Sequence, residues 1–563
     1  MKRILSILAV CAAVLLQANA QPKGQPSWLS DAVVYQIYPS SFQDSDGNGI
    51  GDLPGITSRL EYVRSIGVTA VWMNPIFVSG WTDGGYDVID FYKVDPRFGT
   101  NSDLVALVEK AHSLGMKVIL DLVAGHSSDQ CEWFKQAAEG PYLHYSDYYI
   151  WPTFKPEVTG NAFNSIVSKF VATDAPRAPF FIKNFFDTQP ALNFGFANPD
   201  PSHPWEQAVD DPGPMAMRRE LKNIMAFWMD KGVDGFRVDM AASLVKEDPD
   251  KSATIRLWQE DLGAWFKENY PENVMIAEWF NPKQAIEAGF NIDFFCHDGK
   301  YNYSTLFFNT RRMGGGAQTC YFDLAGEGEL KTWYDLYTEQ YDAVKGRGYV
   351  SMPSGNHDFT RLCAGARTST EQLKVAMTFF LTMPGVPFLF YGDEIGLKNL
   401  DGLQSVEGAG FRTGTRIPML WDATANAGFS TAEASRLYIP QDPDPARRTV
   451  ASEEADGSSL LNFVRTMLRL RSSSKALGND GDWRLVSSLD QPYPMVYERR
   501  YGSELCLVVL NPSGKKVSVS IPTYGVAKPE IIGGSPVKPA YKAGKEQDRI
   551  TVGPCSSVIY RIR

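Results

Sequence analysis

The feature that most constrains this chain is a regular alternation. Short apolar runs of strand length trade places with stretches whose apolar residues recur every three to four positions. The runs are Val33–Tyr38, Ala70–Asn74, Lys117–Val123, Gly235–Asp239, Val274–Glu278, Asp293–Cys296, Tyr349–Ser354 and Val386–Tyr391. Between them, Leu104, Leu107, Val108, Ala111 and Leu114 share one helical face that stops at Gly115, and Leu221, Ile224, Met225 and Trp228 share another that stops at Gly232. Eight strand–helix units predict an α/β protein, a (β/α)8 TIM barrel. In such a barrel the chemistry sits at the C-terminal ends of the strands.

Three segments break the rhythm. Residues 127–213, rich in Phe, Pro, Asn and Asp, read as a subdomain inserted after strand three, dividing the barrel into residues 21–126 and 214–476. From residue 477 onward, short alternating runs such as Pro494–Arg499, Leu505–Leu510 and Lys516–Ile521 predict a C-terminal antiparallel β-sandwich over 477–563. At the other end, Lys2 and Arg3 precede the apolar run Ile4–Leu16 and the small-residue site Ala18-Asn19-Ala20. That is the pattern of a secretory signal over residues 1–20, implying export to the periplasm or beyond. The run is too short to span a bilayer, and no later stretch is long enough.

Composition excludes more than it assigns. With 55 Lys and Arg against 65 Asp and Glu, the net charge of −10 gives no basic face for nucleic acid. The six cysteines after the signal lack metal-type spacing and read as buried thiols, with Cys506–Cys555 the one pair worth testing as a disulfide. The 32 Phe, 25 Tyr and 13 Trp serve the core first and a sugar-binding cleft second.

The polar residues at the strand ends carry the chemistry. Strand three ends in Asp121-Leu122-Val123-Ala124-Gly125-His126, strand four closes on Arg237-Val238-Asp239, strand five on Ala277-Glu278 and strand seven on Asn356-His357-Asp358. A barrel brings these to one rim. An Asp and a Glu on adjacent strands suit glycoside hydrolysis, in which one ionised carboxylate attacks and one protonated carboxyl delivers a proton. Arg237, two residues before Asp239 on the same strand face, is expected to hold that Asp ionised.

This set resembles the α-amylase family of glycoside hydrolases, family 13. The likeness extends through Val34-Tyr35-Gln36-Ile37-Tyr38-Pro39, Gly67 to Pro75, Gln189-Pro190-Ala191-Leu192-Asn193 and Gly385 to Glu394. It implies that Asp239 is the nucleophile, Glu278 the general acid/base and Asp358 a third carboxylate gripping the sugar. Asp121, His126, Arg237 and His357 would serve the same sugar unit, with Tyr86 stacked beneath it. The expected substrate is an α-glucan oligosaccharide of the maltodextrin type.

The loop Asp44-Ser45-Asp46-Gly47-Asn48-Gly49-Ile50-Gly51-Asp52 has oxygen ligands at calcium-loop positions, with Gly at the sixth. Asp44, Asp46, Asn48, Asp52 and the Ile50 carbonyl would hold a structural Ca²⁺, as relatives often do there. Gly125 stands where the family usually has Asn, so a second calcium between barrel and insert is not expected. Asp87, following Tyr86, resembles the α-glucosidase branch, in which it would pair with Arg416 of Arg416-Ile417-Pro418-Met419-Leu420-Trp421-Asp422 and wall off the terminal glucose. The Lys-His pair of endo-amylases is replaced by Ala242 and Ser243. Both features point to exo-acting, retaining hydrolysis. The alternatives are an endo-acting α-amylase or a glucosyl-transferring relative. A non-catalytic sugar-binding protein fits poorly, since all three carboxylates are present. Met240 after the nucleophile and Glu278-Trp279-Phe280 leave linkage open among α-1,4, α-1,6 and α,α-1,1. Oligomeric state is equally open.

Overall fold

The computed structural model describes residues 24–157, 165–296, 303–307, 320–535 and 538–563. The signal-peptide reading of residues 1–20 lies outside them.

All eight expected strands form: β1 (Val34–Ile37), β2 (Ala70–Met73), β3 (Lys117–Val123), β4 (Gly235–Asp239), β5 (Val274–Ala277), β6 (Ile292–Phe294), β7 (Tyr349–Ser351) and β8 (Phe388–Phe390). Two have the expected bounds (β3 and β4) and six are shorter, of which β6 also begins one residue earlier. They pair in parallel in the order β7-β6-β5-β4-β3-β2-β1-β8. The remaining seam closes just beyond β7, where Pro353 bridges Phe388 and the Ser354 amide donates to the Phe388 carbonyl at 2.9 Å. A closed barrel ringed by helices buries both strand faces, so the strands read as continuous apolar runs rather than alternating ones. The exceptions matter. Gln36 in β1 is buried, and its amide donates to Asn74 Oδ1 and His357 Nδ1, both at 2.9 Å.

The helices follow their sequence signals. Asn101–Ser113 starts on a capping box between Thr100 and Asp103 and buries Leu104, Leu107, Val108 and Ala111. Pro212–Met229 buries Leu221, Ile224, Met225 and Trp228, and Gly232 turns away from it with φ 90°.

Between β3 and that helix, Phe170–Ala172 and Phe180–Ile182 form a hairpin around a small core of Ile150, Ile182, Ala191, Phe196 and Trp205. The His126–Ala191 bridge and the Leu192 amide, which donates to the Gly125 carbonyl at 3.0 Å, tie this layer to the barrel rim. At the C-terminal end, a five-stranded and a three-stranded antiparallel sheet enclose a core including Leu507, Val509, Ile521 and Ile550. Cys506 and Cys555 are not bridged. Cys506 is buried in its strand, while the Cys555 thiol faces the Pro512 carbonyl.

Candidate active site

Arg237 is the hub of the rim. Its strand is buried on both faces, so the guanidinium is 3% exposed and must find anions. Nη1 meets Asp121 at 2.8 Å and Asp239 at 2.9 Å, and Nη2 meets Glu278 at 2.8 Å. One planar cation thus spans three strand ends. The Glu278 carboxyl also hydrogen-bonds Asp239, and its Oε2 accepts the Met240 amide at 2.8 Å. Met240 sits in the left-handed region (φ 44°), which turns that amide back toward the acid.

Burial pushes Glu278 up to about 8, against the pull of Arg237, and Asp239 and Asp358 push it further. Burial also raises Asp239 well above the ordinary carboxylate range, and Arg237 and the hydrogen bond from Glu278 offset this only in part, so Arg237 alone does not hold it ionised as expected. Glu278 remains the weaker acid of the two, and the proton on its side of the pair is the division of roles a glycosidase needs. Asp358 stands apart. Burial acts to raise it, yet His357, Arg412 and Arg416 hold it well below the usual carboxylate range. Burial keeps the His357 ring itself neutral, so the lasting positive charge comes from the two arginines, at 2.8 Å (Arg412) and 3.4 Å (Arg416).

Tyr86 lies against His357, ring centroids 5.4 Å apart and nearly parallel. Its hydroxyl donates to Asp121 at 2.8 Å and accepts from Asn74 at 3.0 Å. Gln36 fixes the His357 tautomer. With Nδ1 accepting its amide, Nε2–H points at the Tyr86 hydroxyl (2.8 Å) and at Asp358 (3.1 Å). His126 lines the same cavity, but its Nε2–H is already given to the Tyr86 carbonyl (3.1 Å), while burial lowers it to about 3 and keeps it neutral. A side chain at Gly125 would meet the Asn184 amide at 2.8 Å. Asn184, from the insert, holds His126 Nδ1 at 3.1 Å and lies 3.4 Å from the buried Lys246 ammonium.

One expected pair is corrected. Asp87 does not meet Arg416. It is wholly buried, and its carboxylate accepts from Ser79 Oγ, Thr82 Oγ1 and the Thr82 amide at 2.8–3.0 Å, which pins the loop that delivers Tyr86. Arg416 is equally buried and turns to the His357 carbonyl and Asp358. The ion pair at the pocket wall is instead Asp83–Arg412 at 3.0 Å, with Gln189 holding the other Asp83 oxygen at 2.9 Å. Each partner lies four residues before the expected one. Arg412 sits in a glycine-rich loop with no periodicity to flag it, and its nearness to Asp358 was the missing signal.

These groups surround a cavity of about 660 Å³, within the range of small-ligand sites. Asp83, Tyr86, His126, Asp239, Glu278, Asp358 and Arg412 form its polar depth, while Phe185, Phe280 and Phe411 stand half-exposed around its mouth. Ala242 and Ser243 line the side where endo-amylases carry charge.

In the calcium-type loop, carboxylate oxygens of Asp44, Asp46 and Asp52 lie within 4.8 Å of one another. Gly49 (φ 98°) makes the turn, and a Cβ there would strike the Arg436 carbonyl at 2.2 Å. No ion-pair partner is recorded for these three carboxylates among the described residues, so oxygen-only chemistry, close spacing and uncompensated charge fit a hard divalent cation.

Barrel, rim and cavity together define a carbohydrate-active α/β-barrel enzyme of the glycosidase class. The α-amylase catalytic-domain profile matches residues 36–480, and the chain belongs to that family. It is 30% identical to maltase A2 of Drosophila melanogaster over 91% of each chain, and 28% identical to the oligo-1,6-glucosidase of Parageobacillus thermoglucosidasius over 95% of this chain and 99% of that one. The trehalulose synthase MutB of Pseudomonas mesoacidophila superposes with TM-score 0.78 at 25% identity, covering 95% and 99% of the two chains.

Proposed function

We propose that this protein is a retaining α-glucoside hydrolase that releases glucose from the ends of maltodextrin-type oligosaccharides. The observation that carries the reading is contact between the two carboxyl groups: Glu278 hydrogen-bonds Asp239, and both rest on Arg237. Inverting glycosidases need a gap of roughly 6.5–9.5 Å to seat a water, whereas retaining enzymes bring the pair close. Asp239 attacks the anomeric carbon while Glu278 protonates the leaving oxygen; Glu278, now ionised, takes a proton from water, which cleaves the glycosyl–Asp239 ester. The Asp83–Arg412 pair stands in the cavity wall beside Asp358, where it would limit how far a chain extends past the terminal sugar, in support of exo action. The relatives named as maltase and oligo-1,6-glucosidase support the same class.

The test is the product. From maltoheptaose, glucose should appear first and as the α-anomer by NMR. Mixed oligosaccharides would make the enzyme endo-acting, elongated products a transferase, and β-glucose would refute retention.

The Asp44–Asp52 loop is proposed to bind one structural Ca²⁺ through Asp44, Asp46, Asn48, Asp52 and the Ile50 carbonyl, bracing the start of the helix Leu53–Ile66, whose N-cap is Asp52. Residues 1–20 are proposed to be removed on export, so mature protein should begin at Gln21.

A further inference from the structure

Asp293 lies inside β6 and is fully buried, opposite Ala277 in the parallel register with β5. A carboxyl group in an apolar strand between Ile292 and Phe294 costs several kcal/mol of desolvation unless it is hydrogen-bonded, and burial pushes this one up to about 8. What it holds is the chain immediately after the acid. Oδ1 accepts the Trp279 amide at 3.0 Å and the Phe280 amide at 3.4 Å. Oδ2 has no partner among the described residues. The held turn is unusual. Phe280 occupies the left-handed region at φ 60°, uncommon for a bulky residue, and its ring stands at the cavity mouth. Glu278 is otherwise tied to β4, through its amide to the Val238 carbonyl and its own carbonyl to the Ala241 amide. The acid therefore sits between two anchors, β4 on one side and Asp293 on the other.

Resting on the hydrolase reading above, we infer that Asp293 is a positioning residue for the acid step, fixing where Glu278 meets the leaving oxygen and holding the Phe280 ring where the leaving group passes. If Asp293 merely stabilised the fold, its loss would reduce every activity alike. Positioning of the acid predicts a split, because a poor leaving group such as the glucose unit of maltose needs a proton and an activated nitrophenolate does not.

The experiment compares kcat/KM for maltose and for a nitrophenyl α-glucoside in Asp293→Leu, Asp293→Asn and wild type. Asp293→Leu should lose on the order of 10²-fold on maltose, within the range of general acid catalysis, and only about threefold on the nitrophenyl substrate. Asp293→Asn keeps an oxygen for the same amides and should stay within about threefold of wild type on both. Parallel losses on the two substrates, or no loss in Asp293→Leu, overturn the inference. If Asp293→Leu does not fold, Asp293→Ser, whose hydroxyl is too short to reach the Trp279 and Phe280 amides, takes its place under the same criteria: a maltose-selective loss supports positioning, and a parallel loss or no loss refutes it. A wild type inactive on both would instead refute the hydrolase reading.

Discussion

Two acidic clusters in this molecule are built on opposite principles. At the barrel rim, Asp121, Asp239, Glu278 and Asp358 are held by arginines fixed in the fold: Arg237 for the first three, Arg412 and Arg416 for the last. In the Asp44–Asp52 loop the carboxylates lean on their own backbone. Asp44 accepts the amides of Asp46, Gly47 and Gly49, and Asp52 those of Ser45 and Gly55. The rim can thus hold its charges in place while the cavity stays open for a sugar. The loop satisfies its carboxylate geometry with amides but gives these carboxylates no ion-pair partner among the described residues, which is the charge the proposed cation would meet.

The sharpest way to break the comparison is at the rim. Asp239→Asn should lower kcat on maltose by at least ~10⁴-fold, the scale of removing a nucleophile, with unchanged circular dichroism. Arg237→Leu leaves three buried carboxylates without their cation, and removing one partner of a buried pair costs about 3–5 kcal/mol. Chemical denaturation should show that loss together with near-complete loss of turnover. Arg412→Ala removes one charged contact to Asp358 and one to Asp83, worth ~10- to 100-fold in kcat/KM at about 1.5–3 kcal/mol for a hydrogen bond to a charged group. The same change should let longer products appear from maltoheptaose.

The pH profile tests which carboxyl carries the proton. Glu278 must be protonated, so kcat/KM should fall as pH rises through about 8, and Glu278→Gln should abolish that limb. Asp239 must be ionised, so the acidic limb should lie above the ordinary carboxylate value of about 3.9. The smallest effect on activity belongs to the loop. Chelation or Asp44→Ala should lower Tm by a few degrees, at roughly 2–4 °C per kcal/mol, and leave kcat at 25 °C unchanged. A matching drop in kcat would mean the two clusters are coupled.

The barrel was legible because burial on both strand faces writes itself as apolar runs, and helices as 3.6-residue periods stopped by glycine. The rim was legible for a related reason: Arg237, Asp239 and Glu278 interrupt or end those runs, where a polar residue has no packing role. Arg412 and Asp83 were hidden because loop residues carry no period, and Asp87 and Arg416 in the same loops offered equally plausible charges. In the sequence Asp293 showed only as the first residue of the sixth run; that it lies inside the strand, and what it holds, depends on where the chain after Glu278 turns.

Sequence alone therefore determined the architecture and which strand ends carry chemistry, because hydrophobic periodicity is local and survives without contacts. Tertiary structure decided the partnerships: that Arg237 serves three carboxylates, that Asp83 rather than Asp87 pairs with an arginine at the cavity wall, and that Asp293 holds the turn after Glu278. Those choices turn on distances of a few ångströms between residues up to 329 positions apart, and no pattern along the chain encodes them.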